Sequence, residues 1–295
     1  MSDVKKNILI RVLSAVVALP VYVFTIVTDL AQSIPILVCS LIVSMACLYE
    51  FYSITNRGEE GRPFFKTGMA FAVVINIVMY LFAFGKLYGY GRYIPGFDAR
   101  VFMGVVSLFI CGILVLQLFT RPLKGAAYSL GVTLFGLLYI VAFFSHIILM
   151  KSLTDGVYYI LILNIVVMLN DVFSLFGGVL FGKHKTKYPV SPNKSWEGYF
   201  TGLLFSVLAM VITNQVYISF FNKNLFGMLE SVFLGIALSV LGSLGDLVES
   251  AFKRDGAAKD SGSIIPGHGG MWDVFDAVIF SLPLFYYYLL LKGVA

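Results

Sequence analysis

Residues 157–181 read VYYILILNIVVMLNDVFSLFGGVLF, an unbroken apolar run with one carboxylate, Asp171, and no basic residue. A hydrocarbon core about 30 Å thick needs roughly 20 apolar residues in a helix. This stretch supplies them without the strict alternation of a barrel strand. It predicts a membrane-spanning helix. The same test applied outward gives nine spans, at about 8–28, 33–53, 67–85, 101–119, 126–149, 157–181, 198–220, 226–248 and 274–291. No strands are expected. The connections are too short to hold a soluble domain and no internal repeat is visible, so the inverted symmetry of many transporters has no support. The expected architecture is all-α, a polytopic integral membrane protein with one membrane domain over 1–295, its helices in 1–156 followed by those in 157–295.

Composition agrees. The chain is 59% hydrophobic and 13% charged, whereas soluble proteins carry charge on roughly a quarter of their residues. A net charge of +5 suits contact with anionic lipid and anionic substrates, and gives no sign of nucleic acid as a partner. Cys39, Cys47 and Cys111 all lie in apolar runs with no CxxC pair, so they read as helix-packing residues rather than zinc or redox groups. Lys5 and Lys6 precede an apolar stretch that is long for a signal peptide and lacks a small-x-small cleavage site, which predicts an uncleaved first helix. The N-terminus and even-numbered connections hold fourteen basic residues against six on the other side. The N-terminus is therefore expected to be cytoplasmic, in a multi-pass cell (inner) membrane protein.

Ionisable residues in membrane helices cost roughly 2.5 to 3.5 kcal/mol each on insertion scales, so they mark where function sits. They gather at the C-terminal end. Asp246 and Glu249 share one face at the cytoplasmic end of the eighth span, and Asp273 and Asp276 repeat that spacing where the ninth begins. Between them run Lys253, Arg254, Asp255, Lys259 and Asp260, then Pro266, Gly267, His268, Gly269 and Gly270. Carboxylates hold Mg²⁺ through one or two oxygens and leave its other positions to phosphate, while Lys and Arg neutralise the rest of a triphosphate. Gly269 and Gly270 would let backbone amides approach an anion closely. The combination predicts a metal–nucleotide site facing the cytoplasm.

Read in order, Ser250-x-Phe252-Lys253-Arg254, Lys259-Asp260-x-Gly262, Pro266-Gly267-His268-Gly269-Gly270 and Asp273-xx-Asp276 closely resemble the signature of the phosphatidate cytidylyltransferase family. Asn170-Asp171, Gly177-Gly178, Phe181-Gly182-Lys183 and Ser191-Pro192-Asn193-Lys194-Ser195-Trp196-Glu197-Gly198 look like its second conserved region. The first half of the chain is similar only in having several apolar spans. The family usually carries Arg after the aspartate numbered Asp273 here, whereas this chain has Val274, which leaves the site one cation short unless a neighbour such as Lys194 compensates.

The resemblance implies attack of the phosphate of phosphatidic acid on the α-phosphorus of CTP, giving CDP-diacylglycerol and pyrophosphate. On that basis Asp246 and Asp273 are expected to ligate Mg²⁺, with Asp171, Asp260 and Asp276 as further ligands or acceptors and room for a second metal or a monovalent cation. Lys253, Arg254 and Lys259 would take phosphate oxygens. His268 would hydrogen-bond to CTP, since an ionised phosphate nucleophile needs no general base. Ser191, Lys194 and Ser195 would help to position substrate. His146 reads as a satisfied interhelical contact and His184 as part of the basic loop. The implied partners are CTP, phosphatidic acid and membrane lipids, and the sequence is compatible with a homodimer. The motif of CDP-alcohol phosphotransferases fails at Phe252, Lys259 and Asp260. A transporter would place charges along a mid-membrane path rather than at one face.

Overall fold

A computed structural model describes residues 2–85, 99–267 and 269–294. His268 and the basic residues Lys86 and Arg92 lie outside the described residues. Helices follow the apolar runs in order, with α1 over Ser2–Val27, α2 over Leu30–Ile54, α3 over Phe65–Phe84, α4 over Ala99–Thr120 and α5 over Ala126–Lys151. They continue as α6 over Gly156–Phe181, α7 over Trp196–Phe221, α8 over Met228–Asp255 and α9 over Trp272–Leu291. Among the described residues eight of these helices are long and apolar enough to cross a membrane, and α1 adds a shorter apolar segment, Val16–Val27.

The boundaries deviate from the apolar runs for local reasons. Ala31, Gln32 and Ser33 hold φ of 47°, 63° and 63°, so regular right-handed helix in α2 starts after Ser33, where the apolar run also begins. Helix α8 continues seven residues past the expected position 248, to Asp255. That extension is polar, but Glu249 and Lys253 pair across one turn at 2.5 Å and support it. Within α5 the turns over Leu137–Ala142 widen to π-helix.

The chain forms two compact units, one from Met1–Thr154 with Asp255–Val274 and one from Asp155–Arg254 with Phe275–Ala295. The first unit packs α2, α3 and α5 around buried Phe51, Tyr52, Phe84 and Phe144, with Trp272 returning to the edges of Phe51 and Tyr139. In the second unit α6 and α7 run close because small residues face each other. A Cβ at Gly198 would lie 2.7 Å from the Ser174 carbonyl oxygen, and one at Gly202 would lie 2.9 Å from that of Asn170. Leu175, Val179, Phe200 and Phe220 of this pair are exposed, as side chains facing lipid would be.

One smaller expectation changes. Cys39 and Cys47 are buried, but Cys111 is exposed on α4, so an apolar residue there needs lipid rather than a packing partner. The Nδ1 of His146 meets the Ala142 carbonyl on its own helix at 2.8 Å.

Candidate functional site

In the second unit, the connection from α6 to α7 folds back on itself. The amide of Thr186 donates to the Lys194 carbonyl at 2.9 Å, and that of Trp196 to the His184 carbonyl at 3.0 Å. Ser195 then caps α7, its Oγ accepting from the Gly198 amide at 3.3 Å. His184 is more than a charge in this loop, because its ring Nδ1 sits 2.6 Å from Glu197 in the first turn of α7. The fold-back aims Lys194 at α8, where its Nζ donates to Oδ2 of Asp246. The Lys194 ammonium also lies 5.5 Å from the centre of the Tyr199 ring. Burial works against its charge, but Asp246 outweighs burial and holds its pKa above the ordinary lysine value.

Beside this pair is a cavity of 580 Å³, a size that suits a small-molecule site. Asp171, Ser191, Lys194, Ser195 and Asp246 all line it, which brings together five residues singled out from the sequence. Asn170 fixes the floor. Its Oδ1 accepts from Ser239 Oγ at 2.7 Å and Ser206 Oγ at 3.3 Å, and its Nδ2 donates to Asp171 Oδ1 at 3.2 Å. Ser174, also in the lining, has a buried hydroxyl with no hydrogen-bond partner among the described residues. A buried polar atom in that state is suited to a ligand.

Asp246, Glu249 and Asp276 can each offer one carboxylate oxygen, all within 4.8 Å of one another. Helices α8 and α9 approach closely enough for this because residue 245 is glycine. A Cβ there would fall 2.7 Å from the Asp276 carbonyl oxygen. Glu249 and Asp276 are buried, and like charges brought together out of water need cations. Lys253 pairs with Glu249 and Lys194 with Asp246, so two ammonium groups face three carboxylates. An all-oxygen, anionic donor set fits a hard divalent cation such as Mg²⁺ better than zinc or copper.

From residue 255 to residue 273 the C-terminal signature belongs to the first unit, and there the organising group is Glu50 of α2. Its Oε1 accepts from the Met271 amide at 2.9 Å, and its Oε2 from the Trp272 amide at 2.8 Å and from Ser261 Oγ at 2.8 Å. Asp273 Oδ2 accepts from the amides of Ser261 and Gly270, each at 2.8 Å, and lies 2.9 Å from Ser261 Oγ. Gly269 packs against Asp273, with space for a Cβ cut to 2.7 Å from its Oδ2. Arg254, Lys259 and Asp260 are exposed.

Sequence reasoning left Glu249 out of the ligand set and passed over Glu50 and Ser261. Glu249 had a visible signal, the shared helix face with Asp246. Glu50 had one too, since it is the one charged residue in the apolar run 33–53. Its relation to a loop more than 200 positions away had none.

The Cytidylyltransferase family matches residues 9–292 of the chain. The chain is 45% identical over 131 residues to a phosphatidate cytidylyltransferase of Staphylococcus haemolyticus, covering 44% of this chain and 48% of that protein. It is 43% identical over 134 residues to one of Staphylococcus epidermidis and 42% over 136 residues to one of Staphylococcus aureus, each covering 45% of this chain and 50% of the relative. The chain thus spans about half the length of the curated relatives it matches.

Proposed function

Because this chain belongs to the Cytidylyltransferase family, we propose that it is a phosphatidate cytidylyltransferase, an integral membrane nucleotidyltransferase that moves CMP from CTP to phosphatidic acid. The single observation that carries this reading is the polar cavity of the second unit, where Lys194 meets Asp246, one of three clustered carboxylates. The names of the staphylococcal relatives support it.

In this scheme a phosphate oxygen of phosphatidic acid bonds to the α-phosphorus of CTP, and the bond from that phosphorus to the oxygen bridging to the β-phosphorus breaks. Pyrophosphate leaves with the electron pair. Such transfers depend on alignment and on neutralising oxygen charge. Lys194 does the second, as a charge held at the cavity wall by Asp246. Ser191 and Ser195 offer hydroxyls there, and Asn170 keeps Asp171 turned into the same space. Asp246, Glu249 and Asp276 would hold Mg²⁺, which when bound supplies charge neutralisation on the triphosphate oxygens. The roles given to Lys253, Arg254, Lys259, Asp260, His268, Gly269, Gly270 and Asp273 rest on the motif they share with the family. The distribution of Lys and Arg supports a site on the cytoplasmic side of the cell membrane, where CTP arrives.

The test is conversion of radiolabelled CTP to an organic-extractable product by detergent-purified protein with phosphatidic acid and Mg²⁺, beside Asp246→Ala. Label in lipid that disappears in the variant is the expected result. Folded wild-type protein that leaves all label in water overturns the assignment.

A further inference from the structure

We propose that Glu50 is a positioning residue for the transfer reaction, a membrane-embedded carboxylate that shapes the glycine-rich turn in front of α9 and thereby orients Asp273; this rests on the function proposed above. Glu50 is 2% exposed within a helix of the apolar N-terminal half. A carboxyl group at such a place is costly unless its oxygens are well used. They are. Two of its three donors are the amides of Met271 and Trp272, which stand at the start of α9 where a helix has amides with no partner of its own. A carboxylate is the strongest acceptor for such amides and also suits the positive end of the helix. Glu50 therefore caps α9 from more than 200 residues away.

The turn is moulded on this side chain. A Cβ at Gly262 would lie 2.5 Å from Glu50 Oε1, and one at Gly270 would lie 2.4 Å from Oε2. Both positions therefore have to be glycine while Glu50 is in place. The link to the chemistry is Ser261, whose hydroxyl lies 2.8 Å from Glu50 Oε2 and 2.9 Å from Asp273 Oδ2. Asp273 Oδ2 also accepts from the amides of Ser261 and Gly270, the residues that flank Glu50. Moving Glu50 moves Ser261 and Gly270, whose amides donate to the Asp273 carboxylate. A residue acting this way alters the rate of the aligned complex more than its formation.

Glu50→Gln keeps the shape and weakens the acceptor. Two readings are taken on full-length protein in detergent, the transfer kinetics and the hydrogen–deuterium exchange of the peptide containing Met271 and Trp272. Expected are a kcat lower by at least about tenfold, a KM for CTP within about threefold of wild type, and exchange faster by at least about tenfold at those two amides. Ser261→Ala is expected to move kcat and exchange in the same direction by less. Wild-type kcat or unchanged exchange in Glu50→Gln overturns the proposal, and if that variant does not fold, wild-type values in Ser261→Ala overturn it. A wild-type protein that transfers no label sinks the functional assignment instead, and exchange at Met271 and Trp272 then still reports whether Glu50 holds the turn.

Discussion

Lys194, in the connection leading into α7, donates from its Nζ to Oδ2 of Asp246 on α8, so a loop residue and a helix residue 52 positions apart share one charged hydrogen bond at the wall of the cavity. The side chains are 25% and 35% exposed, so solvent screens the pair and limits its contribution to folding to about 1 kcal/mol. The proposed transfer reaction would feel the loss more. Lys194→Ala is expected to lower CMP transfer at least about 100-fold, the scale of removing one preorganised charge from a reacting phosphate, while the unfolding midpoint shifts little. Activity within a few-fold of wild type in steady-state assays would remove Lys194 from the site.

The same pair fixes a pH dependence. The folded pKa of Lys194 lies above its unfolded value, because Asp246 outweighs burial. Stability from the pair is thus complete below the unfolded value, about 10.4, and is lost only as pH rises through the folded one. The difference in unfolding midpoint between wild type and Lys194→Met should therefore stay constant from about pH 6 to about pH 9. A difference that shrinks steadily across that range contradicts the assigned direction.

Metal removal separates repulsion from ligation at Asp246, Glu249 and Asp276. With chelator present, Asp276→Asn removes one of three crowded carboxylate charges and is expected to leave stability unchanged or raise it. With Mg²⁺ at about 100 times its Kd, wild type gains about 2.7 kcal/mol by linkage, and Asp276→Asn and Glu249→Gln gain much less. Thermal unfolding with and without Mg²⁺ reads this directly. Equal gains in all three proteins would show that these carboxylates do not hold the ion.

How much of this was legible in the sequence depends on the range of the interaction. The spans at 157–181 and 67–85 were readable because transfer of apolar side chains into lipid is a local property of the chain. Asp246 was readable as a charge at the end of an apolar run and Asp171 as a carboxylate inside one, whereas Lys194 and Ser195 were readable through the motif they share with the family. The polar end of α8, residues 249–255, was not, since an i,i+4 ion pair and tertiary packing extend the helix where apolarity has stopped. Glu50 was visible as a lone charge in an apolar run, yet nothing local joins it to Met271 and Trp272. That relation exists only once α2 and the turn before α9 pack together.

Gly245 tests the geometry that brings the acids together. A Cβ there meets the Asp276 carbonyl oxygen at 2.7 Å and the Ala277 Cα at 2.9 Å, both backbone atoms that cannot step aside. One turn earlier, a Cβ at Gly242 meets nothing nearer than Val167 Cγ1 at 3.4 Å. Gly245→Ala is expected to destabilise by about 1 to 3 kcal/mol and to weaken the Mg²⁺-dependent stabilisation, whereas Gly242→Ala should be neutral in both. Matching unfolding curves for the two variants would mean that α8 and α9 do not approach this closely.

Asn170 offers the sharpest contrast between two substitutions at one position. Asn170→Ala takes the Oδ1 acceptor from the buried hydroxyl of Ser239 and leaves that of Ser206 only the Val166 carbonyl at 3.5 Å, and is expected to cost about 2 kcal/mol. Asn170→Asp keeps an acceptor for both hydroxyls but loses the Nδ2 donor to Asp171 and sets a second acid beside it. Its effect on folding should be the smaller of the two, because both hydroxyls keep an acceptor, while its effect on transfer should be the larger, because Asp171 then faces the cavity beside a like group. Denaturation and initial rates on the same preparations decide it. Parallel losses in both variants would reduce Asn170 to a packing residue, and loss of transfer confined to Asn170→Asp would tie the orientation of Asp171 to the chemistry.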